Sequence, residues 1–209
     1  MHPACSRATR LAVVATVGCV LVACSIPTTG EAVRPTSPNS RESNSSVSPL
    51  PTVSSTLPGP HPPPNEYTNG TTFEPCTAFG ADELRNWGVD PTNVEDVGVG
   101  NPLLRGCRWR PTNRSWSLGI RVHNSAVEKY LQPDNTLKLQ EPITIGGRSS
   151  AVNSPDGRQT SCDVIVPSEK AVVIFTVNVY SGDEGPKLVP DACNKAIDVA
   201  TAVAGRLPQ

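Results

Sequence analysis

The sequence is poor in aromatic residues, which make up 4% of its 209 positions, and it carries one methionine and three histidines. It has no excess of positive charge, because 18 Lys and Arg face 19 Asp and Glu for a net charge of −1. Domains that neutralise nucleic-acid phosphates are strongly basic, so nucleic acid is excluded as the main partner. The longest uncharged apolar run, Leu11 to Ala23, is 13 residues, short of the roughly 20 that a membrane-spanning helix needs. The patterns C-x-x-C, Gly-x-Ser-x-Gly and G-x-x-x-x-G-K-[ST] do not occur. The signatures of a dithiol redox site, a serine-hydrolase elbow and a phosphate-cradling loop are therefore missing.

What is present begins at the N-terminus. Arg7 and Arg10, with no acid near them, precede the apolar stretch from Leu11 to Val22, and Ala23 and Cys24 follow. That is the charge, core and small-residue order of a secretory signal. Its end, Leu21-Val22-Ala23-Cys24, resembles the lipobox of bacterial lipoproteins, in which the cysteine thiol receives a diacylglycerol and the chain is cut just before it. Residues 1–23 are thus expected to be a lipoprotein signal peptide and Cys24 the lipidated mature N-terminus. An ordinary signal peptide that happens to contain cysteine is the alternative. Each buried lipid CH₂ contributes about 0.8 kcal/mol, so two or three acyl chains hold a soluble domain where one would not. The expected location is the extracytoplasmic face of the cell membrane, with the membrane itself as one partner.

Cys5 and Cys19 would leave with the signal and Cys24 would take lipid, which leaves Cys76, Cys107, Cys162 and Cys193 of the seven cysteines. An even set in an exported chain reads as two disulfides. A zinc site would need close C-x₂₋₄-C spacing, which is absent, so no metal and no cofactor is expected.

From Ser25 to Pro64, ten of 40 residues are Pro, nine Ser and five Thr, and none is aromatic. Such a segment buries too little apolar surface to offset its ordering entropy and is expected to be a disordered tether. All nine aromatics lie beyond it. The division is therefore signal peptide 1–23, lipidated cysteine and tether 24–64, and one globular domain 65–209.

In the domain, Gly80 to Trp87 predicts a short helix with Asp82 and Glu83 at its positive end. Gly106 to Arg110 and Ser115 to Val122 predict a hairpin around Pro111-Thr112-Asn113-Arg114. If Arg110 faces Ser115, Trp109 lies opposite Trp116 and Cys107 opposite Leu118. One face is then apolar, and the other carries Arg108, Arg110, Ser115, Ser117 and Arg121. Ser125 to Leu131 predicts a short helix. Ile143–Ile145, Ser149–Val152, Ser161–Val166 and Ala171–Tyr180 predict strands, with a tight turn at Gly146-Gly147. A C-terminal helix from Pro190 presents Cys193, Ala196, Ile197, Ala200, Val203 and Leu207 as one stripe. The order implies an α+β domain, an antiparallel sheet covered on one face by N-terminal and C-terminal helices.

Glu74-Pro75-Cys76 before a short helix, Gly106-Cys107-Arg108-Trp109 in a strand, Cys162-Asp163-Val164 in a later strand and Cys193 opening an apolar helix, together with lipobox and tether, resemble a family. It is that of the actinobacterial secreted lipoproteins carrying the domain of unknown function 3558. The resemblance spans residues 72 to about 207 in pattern. It implies location and fold class, and it supplies no catalytic or binding residue.

Four cysteines allow three connectivities. The expected one is Cys76 with Cys107 and Cys162 with Cys193, because Cys107 shares the apolar hairpin face with Trp109, and Cys162 shares a strand face with Val164 and Val166, toward which the C-terminal helix turns Cys193.

Chemistry is thin. His123 is the one domain histidine, and a hydrolase would have to combine it with an acid such as Asp134 or Glu128. Arg108, Arg110 and Arg121 form a candidate anion-attracting face, screened by salt. The expected function is a non-catalytic, lipid-anchored domain that binds an envelope ligand or protein. A hydrolase using His123 and an accessory subunit of an envelope complex are the alternatives. Cys24→Ala is expected to abolish incorporation of a fatty-acid analogue in metabolic labelling; label retained in that variant would overturn the assignment of Cys24.

Overall fold

The computed structural model describes Leu57 and residues 61–180, 182 and 184–209. The predicted signal peptide, Cys24 and most of the predicted tether lie outside the described residues. Leu57 and the stretch from His61 to Pro64, which the sequence groups with the tether, lie against the domain: Leu57 packs on the core, and Pro62 and Pro63 face Pro102 and Leu104.

Seven strands form one antiparallel sheet in the order β1-β2-β3-β7-β6-β5-β4. They are β1 (Asp90–Asp96), β2 (Arg105–Arg110), β3 (Trp116–His123), β4 (Leu139–Ile145), β5 (Arg148–Ser154), β6 (Ser161–Ser168) and β7 (Ala171–Val179). Strands β1 to β3 form one meander and β4 to β7 another, and the pairing of β3 with β7 joins them. Two of the helices are short, α1 (Ala81–Asn86) and α2 (Gly185–Leu188), and the third, α3 (Ala192–Val203), is the C-terminal helix. A single 3-10 turn, Val127–Leu131, stands where the sequence predicts a helix. Among the described residues no helix is long and apolar enough to cross a membrane.

The predicted hairpin exists with a different register. Trp109 pairs with Leu118 and Cys107 with Ile120, a shift of two residues from the expected partners. The cause is the turn. The Arg114 N–H donates to the Pro111 carbonyl at 2.9 Å, Arg114 takes a left-handed φ of 54°, and the Ser115 carbonyl accepts the Tyr180 N–H at 2.9 Å. Ser115 is thereby drawn to the end of β7 instead of facing Arg110. A two-residue shift preserves the alternation, so the predicted faces stand. Gly146 and Gly147 adopt φ of 57° and 80° in the β4–β5 turn, the left-handed conformations that a two-residue hairpin demands.

The strand without a sequence signal is β1. Its residues, Asp-Pro-Thr-Asn-Val-Glu-Asp, lack an apolar alternation, and its pairing with β2 is irregular between Asp90 and Val94. Pro91 is tolerated because β1 is an edge, where an N–H is not required on the outer side.

One sheet face is dry. Trp109, Leu118, Ile120, Val164, Phe175 and Val177 form one core on this face, and α3, whose Ala192, Cys193, Ala196, Val199, Ala200 and Val203 are buried, covers its β6 and β7 side. The alanines let the helix lie close on the strands. Asp191 caps it, its carboxylate accepting the Asn194 N–H at 2.8 Å. At the other end of this face, α1 brings Phe79 into edge contact with Trp87 and Trp109, with centroids 5.0 and 6.0 Å apart. Cys76 is bonded to Cys107 and Cys162 to Cys193, with Cα separations of 5.2 and 5.0 Å. The first bridge ties the segment before α1 to β2, and the second ties α3 to β6.

The opposite face is divided. The 3-10 turn covers one half, where Val127 packs with Ala151, Ile165, Val172 and Ile174, and Tyr130 and Leu131 close the edge. The other half, over β2, β3 and the end of β7, is polar and uncovered by any described helix.

Each disulfide closes a loop of 31 residues, for which chain entropy gives about 3 to 4 kcal/mol. The double replacement Cys162→Ala with Cys193→Ala is expected to lower the unfolding free energy by about 3 kcal/mol in urea denaturation. An unchanged midpoint would show that this bridge does not secure the helix.

Candidate functional site

The uncovered half-face holds a cleft of 300 Å³. Its floor comes from alternate residues of three neighbouring strands: Arg108 on β2, Gly119 and Arg121 on β3, and Thr176 and Asn178 on β7. The alternation of strand side chains puts all of them on one face, since Gly119 pairs with Arg108 on one side and Thr176 on the other. Glu95 and Asp96 of β1 and the β1–β2 connection, through Val97, Gly100, Asn101 and Leu104, make the wall. Gly119 leaves the middle of the floor without a side chain. A Cβ there would find Thr176 at 3.6 Å, an ordinary contact, so the opening is a matter of space and not of backbone strain.

The arginines are not free cations. The carboxylate of Glu95 accepts from the Nη2 of Arg108 at 3.0 Å and of Arg110 at 2.8 Å. Arg121 Nη2 donates to Thr176 Oγ1 at 2.6 Å and to Asp163 Oδ1 at 3.2 Å, and the Thr176 hydroxyl donates in turn to Asp163. Burial pushes the Glu95 carboxyl up, but the bonds and charges of Arg110 and Arg108 outweigh it and hold it below its usual range. Three guanidinium groups thus face the carboxylates of Glu95 and Asp163, and Asp96 adds a third at the cleft wall, so the charge of the predicted anion face is largely balanced. Of the buried donors on these three side chains, the Nε of Arg108 and of Arg121 have no hydrogen-bond partner among the described residues. A buried unmet N–H costs about 1 to 3 kcal/mol, so either group is stabilised by an acceptor brought to it through a shift of its side chain.

Tyr180 continues the same face beyond Asn178. Its hydroxyl donates to Ser117 Oγ at 3.0 Å. Burial raises its pKa, yet the hydrogen bonds of Ser117 and Arg110 and the charges of Arg110 and Arg108 prevail and leave it below the usual tyrosine value.

His123 lies at the end of β3, outside this cleft. Its Nδ1 is 3.0 Å from the Tyr130 hydroxyl, and burial first, then Lys129 and Arg121, lower its pKa. The structure does not bring the two proposed acids to it: the Asp134 carboxylate accepts from Thr136 at 2.7 Å, and Glu128 borders a different groove, of 570 Å³. In that groove Arg148 is engaged with the carbonyls of Pro167, Leu207 and Pro208 at 2.5 to 3.0 Å.

Sequence reading found Arg108, Arg110 and Arg121 and missed their carboxylates, because the strand carrying Glu95 has no alternation and Asp163 is far away in sequence. Gly119 inside an apolar strand was the available signal, since such glycines mark a bulge or a close approach.

The phenolate of Tyr180 is favoured by two nearby cations, so Arg110→Met is expected to move its ionisation to higher pH. Ring-labelled tyrosine followed by NMR would show Tyr180 titrating before Tyr130, whose hydroxyl burial pushes up, and the interval narrowing in the variant.

No curated protein matches the chain. A family model described as Protein of unknown function (DUF3558) matches residues 19–206, the whole of the sheet and its helices together with the segment that contains Cys24. The chain therefore belongs to the DUF3558 family of proteins of unknown function.

Proposed function

We propose that the protein is a lipid-anchored envelope lipoprotein of the actinobacterial type, held to the extracytoplasmic face of the membrane through Cys24. Its domain acts there as a non-catalytic binding module. The observation that carries the binding reading is the cleft floor: two buried, unpartnered guanidinium N–H groups flank the open position at Gly119. The lining also offers Asn101, Thr176 and Asn178 as neutral donors and acceptors. With its arginines largely balanced by carboxylates, such a surface suits a small, hydroxyl-rich ligand carrying at most one negative charge, and a polyanion gains little from it. The order of Arg7, Arg10, apolar stretch and Cys24 supports the anchor, and the family match that begins at residue 19 includes that cysteine.

The test uses a sugar acid and its neutral parent sugar, titrated into the isotope-labelled protein. Shifts confined to Arg108, Gly119, Arg121 and Asn178, saturating at millimolar concentration and lost in Gly119→Leu, are expected. That substitution fills the floor and touches no charge. Shifts that survive it, or that cluster at His123, would replace the cleft with another site.

A further inference from the structure

Glu95 and Asp96 are adjacent on β1 and so face opposite sides of the sheet. Glu95 serves the cleft, whereas the Asp96 side chain is 9% exposed. Asp96 Oδ1 accepts the Gly98 N–H at 2.7 Å, and its Oδ2 is buried with no hydrogen-bond partner. What faces that oxygen is His61, from the chain leading into the domain: its Nδ1 lies 3.6 Å from Asp96 Oδ2 and its Nε2 3.6 Å from Glu74 Oε1. Glu74 Oε1 is likewise buried and unpartnered, and Glu74 Oε2 accepts from Arg105 Nη1 at 2.5 Å. The charged groups around the ring are therefore Glu74 from the segment before α1, Asp96 from β1 and Arg105 from β2.

A neutral imidazole has one N–H and one lone pair. Set between two carboxylates, it must present the lone pair to one of them, which leaves an acceptor against an acceptor in a buried place. An imidazolium presents an N–H to each. Of the neighbouring His61, Glu74 and Cys76 ligand atoms, the Cys76 sulfur is committed to Cys107, which leaves a metal ion only one ring nitrogen and one carboxylate from that group.

We propose that His61 is a proton-dependent latch: as an imidazolium it bridges Glu74 and Asp96 and fixes the incoming chain on the domain, and as a neutral imidazole it releases that chain. The same carboxylate reports the state of the latch to the cleft. Asp96 holds the Gly98 N–H, Gly98 lies in the connection that walls the cleft, and Pro62 and Pro63 share a small cavity with Asp96, Gly98, Pro102 and Leu104 of that stretch.

The experiment follows the amides of Gly98 and Leu104 and the His61 ring by NMR in the full chain as the pH is varied. The expected result is one titration step in both amides with the midpoint of the His61 ring, lost in His61→Gln and lost again in Asp96→Asn, which keeps an acceptor for Gly98 and removes the charge. Unchanged amides in β6 and β7 would show that each variant is folded. A Gly98 step that survives His61→Gln, or a His61 titration that leaves Gly98 unmoved, would overturn the latch.

Discussion

The pairing of β3 with β7 is the interaction on which the rest of the structure depends. It runs in unbroken register from Trp116 opposite Val179 to His123 opposite Val172, and it unites two meanders that are each made of local hairpins. Strands this far apart in sequence meet only after the loop-closure entropy has been overcome. The compensation is apolar: Leu118, Ile120 and Val122 lie beside Val177, Phe175 and Val173 on the dry face, and all are fully buried. Neither disulfide crosses this seam. Cys76–Cys107 lies within the first half of the domain and Cys162–Cys193 within the second. The covalent staples therefore stiffen each meander, and the hydrogen-bonded β3–β7 pairing with its packing, without a covalent link, holds the meanders together.

The seam also makes the cleft. On the dry face of these strands the side chains are large and apolar, whereas on the other face the central positions are Gly119, Arg121, Thr176 and Asn178. The 3-10 turn covers the apolar half of that second face and stops short of the polar half. An uncovered, half-polar sheet face is stable in water as long as its charges are satisfied. Here a carboxylate from outside the β3–β7 pair satisfies each cluster: Glu95 from β1 for Arg108 and Arg110, and Asp163 from β6 for Arg121. Exposed pairs of this kind add little to stability. Their effect is to orient the guanidinium groups and to cancel most of the field that three arginines would otherwise project.

At the edge, β1 holds two environments apart by the pleat of a single strand. The Glu95 carboxylate is engaged by the cleft arginines, whereas Asp96 borders both the cleft and the pocket where the chain enters the domain, with its carboxylate toward His61. That one-residue separation places the entry of the chain and the wall of the cleft on the same backbone connection, Val97 to Leu104.

The sequence by itself determined the elements that repeat a period or a parity. The stripe of Cys193, Ala196, Ala200 and Val203 defines the C-terminal helix, the alternation of Cys107, Trp109, Leu118 and Ile120 defines the buried hairpin face, and Gly146-Gly147 defines a turn. Each is legible because burial acts on neighbours along the chain. The same patterns carry the expected cysteine partners, since each cysteine's face is set by its own element. Only the tertiary structure decided the rest. The hairpin register depended on Ser115 being drawn to Tyr180, and β1 exists because β2 offers an edge that a chain with no alternation of its own can still pair. The cleft is assembled from β1, β2, β3, β6 and β7, so its charge balance is a sum over residues that no local pattern relates. His61, in a segment whose composition reads as tether, gained two carboxylate neighbours only when β1 and the stretch before α1 were brought together.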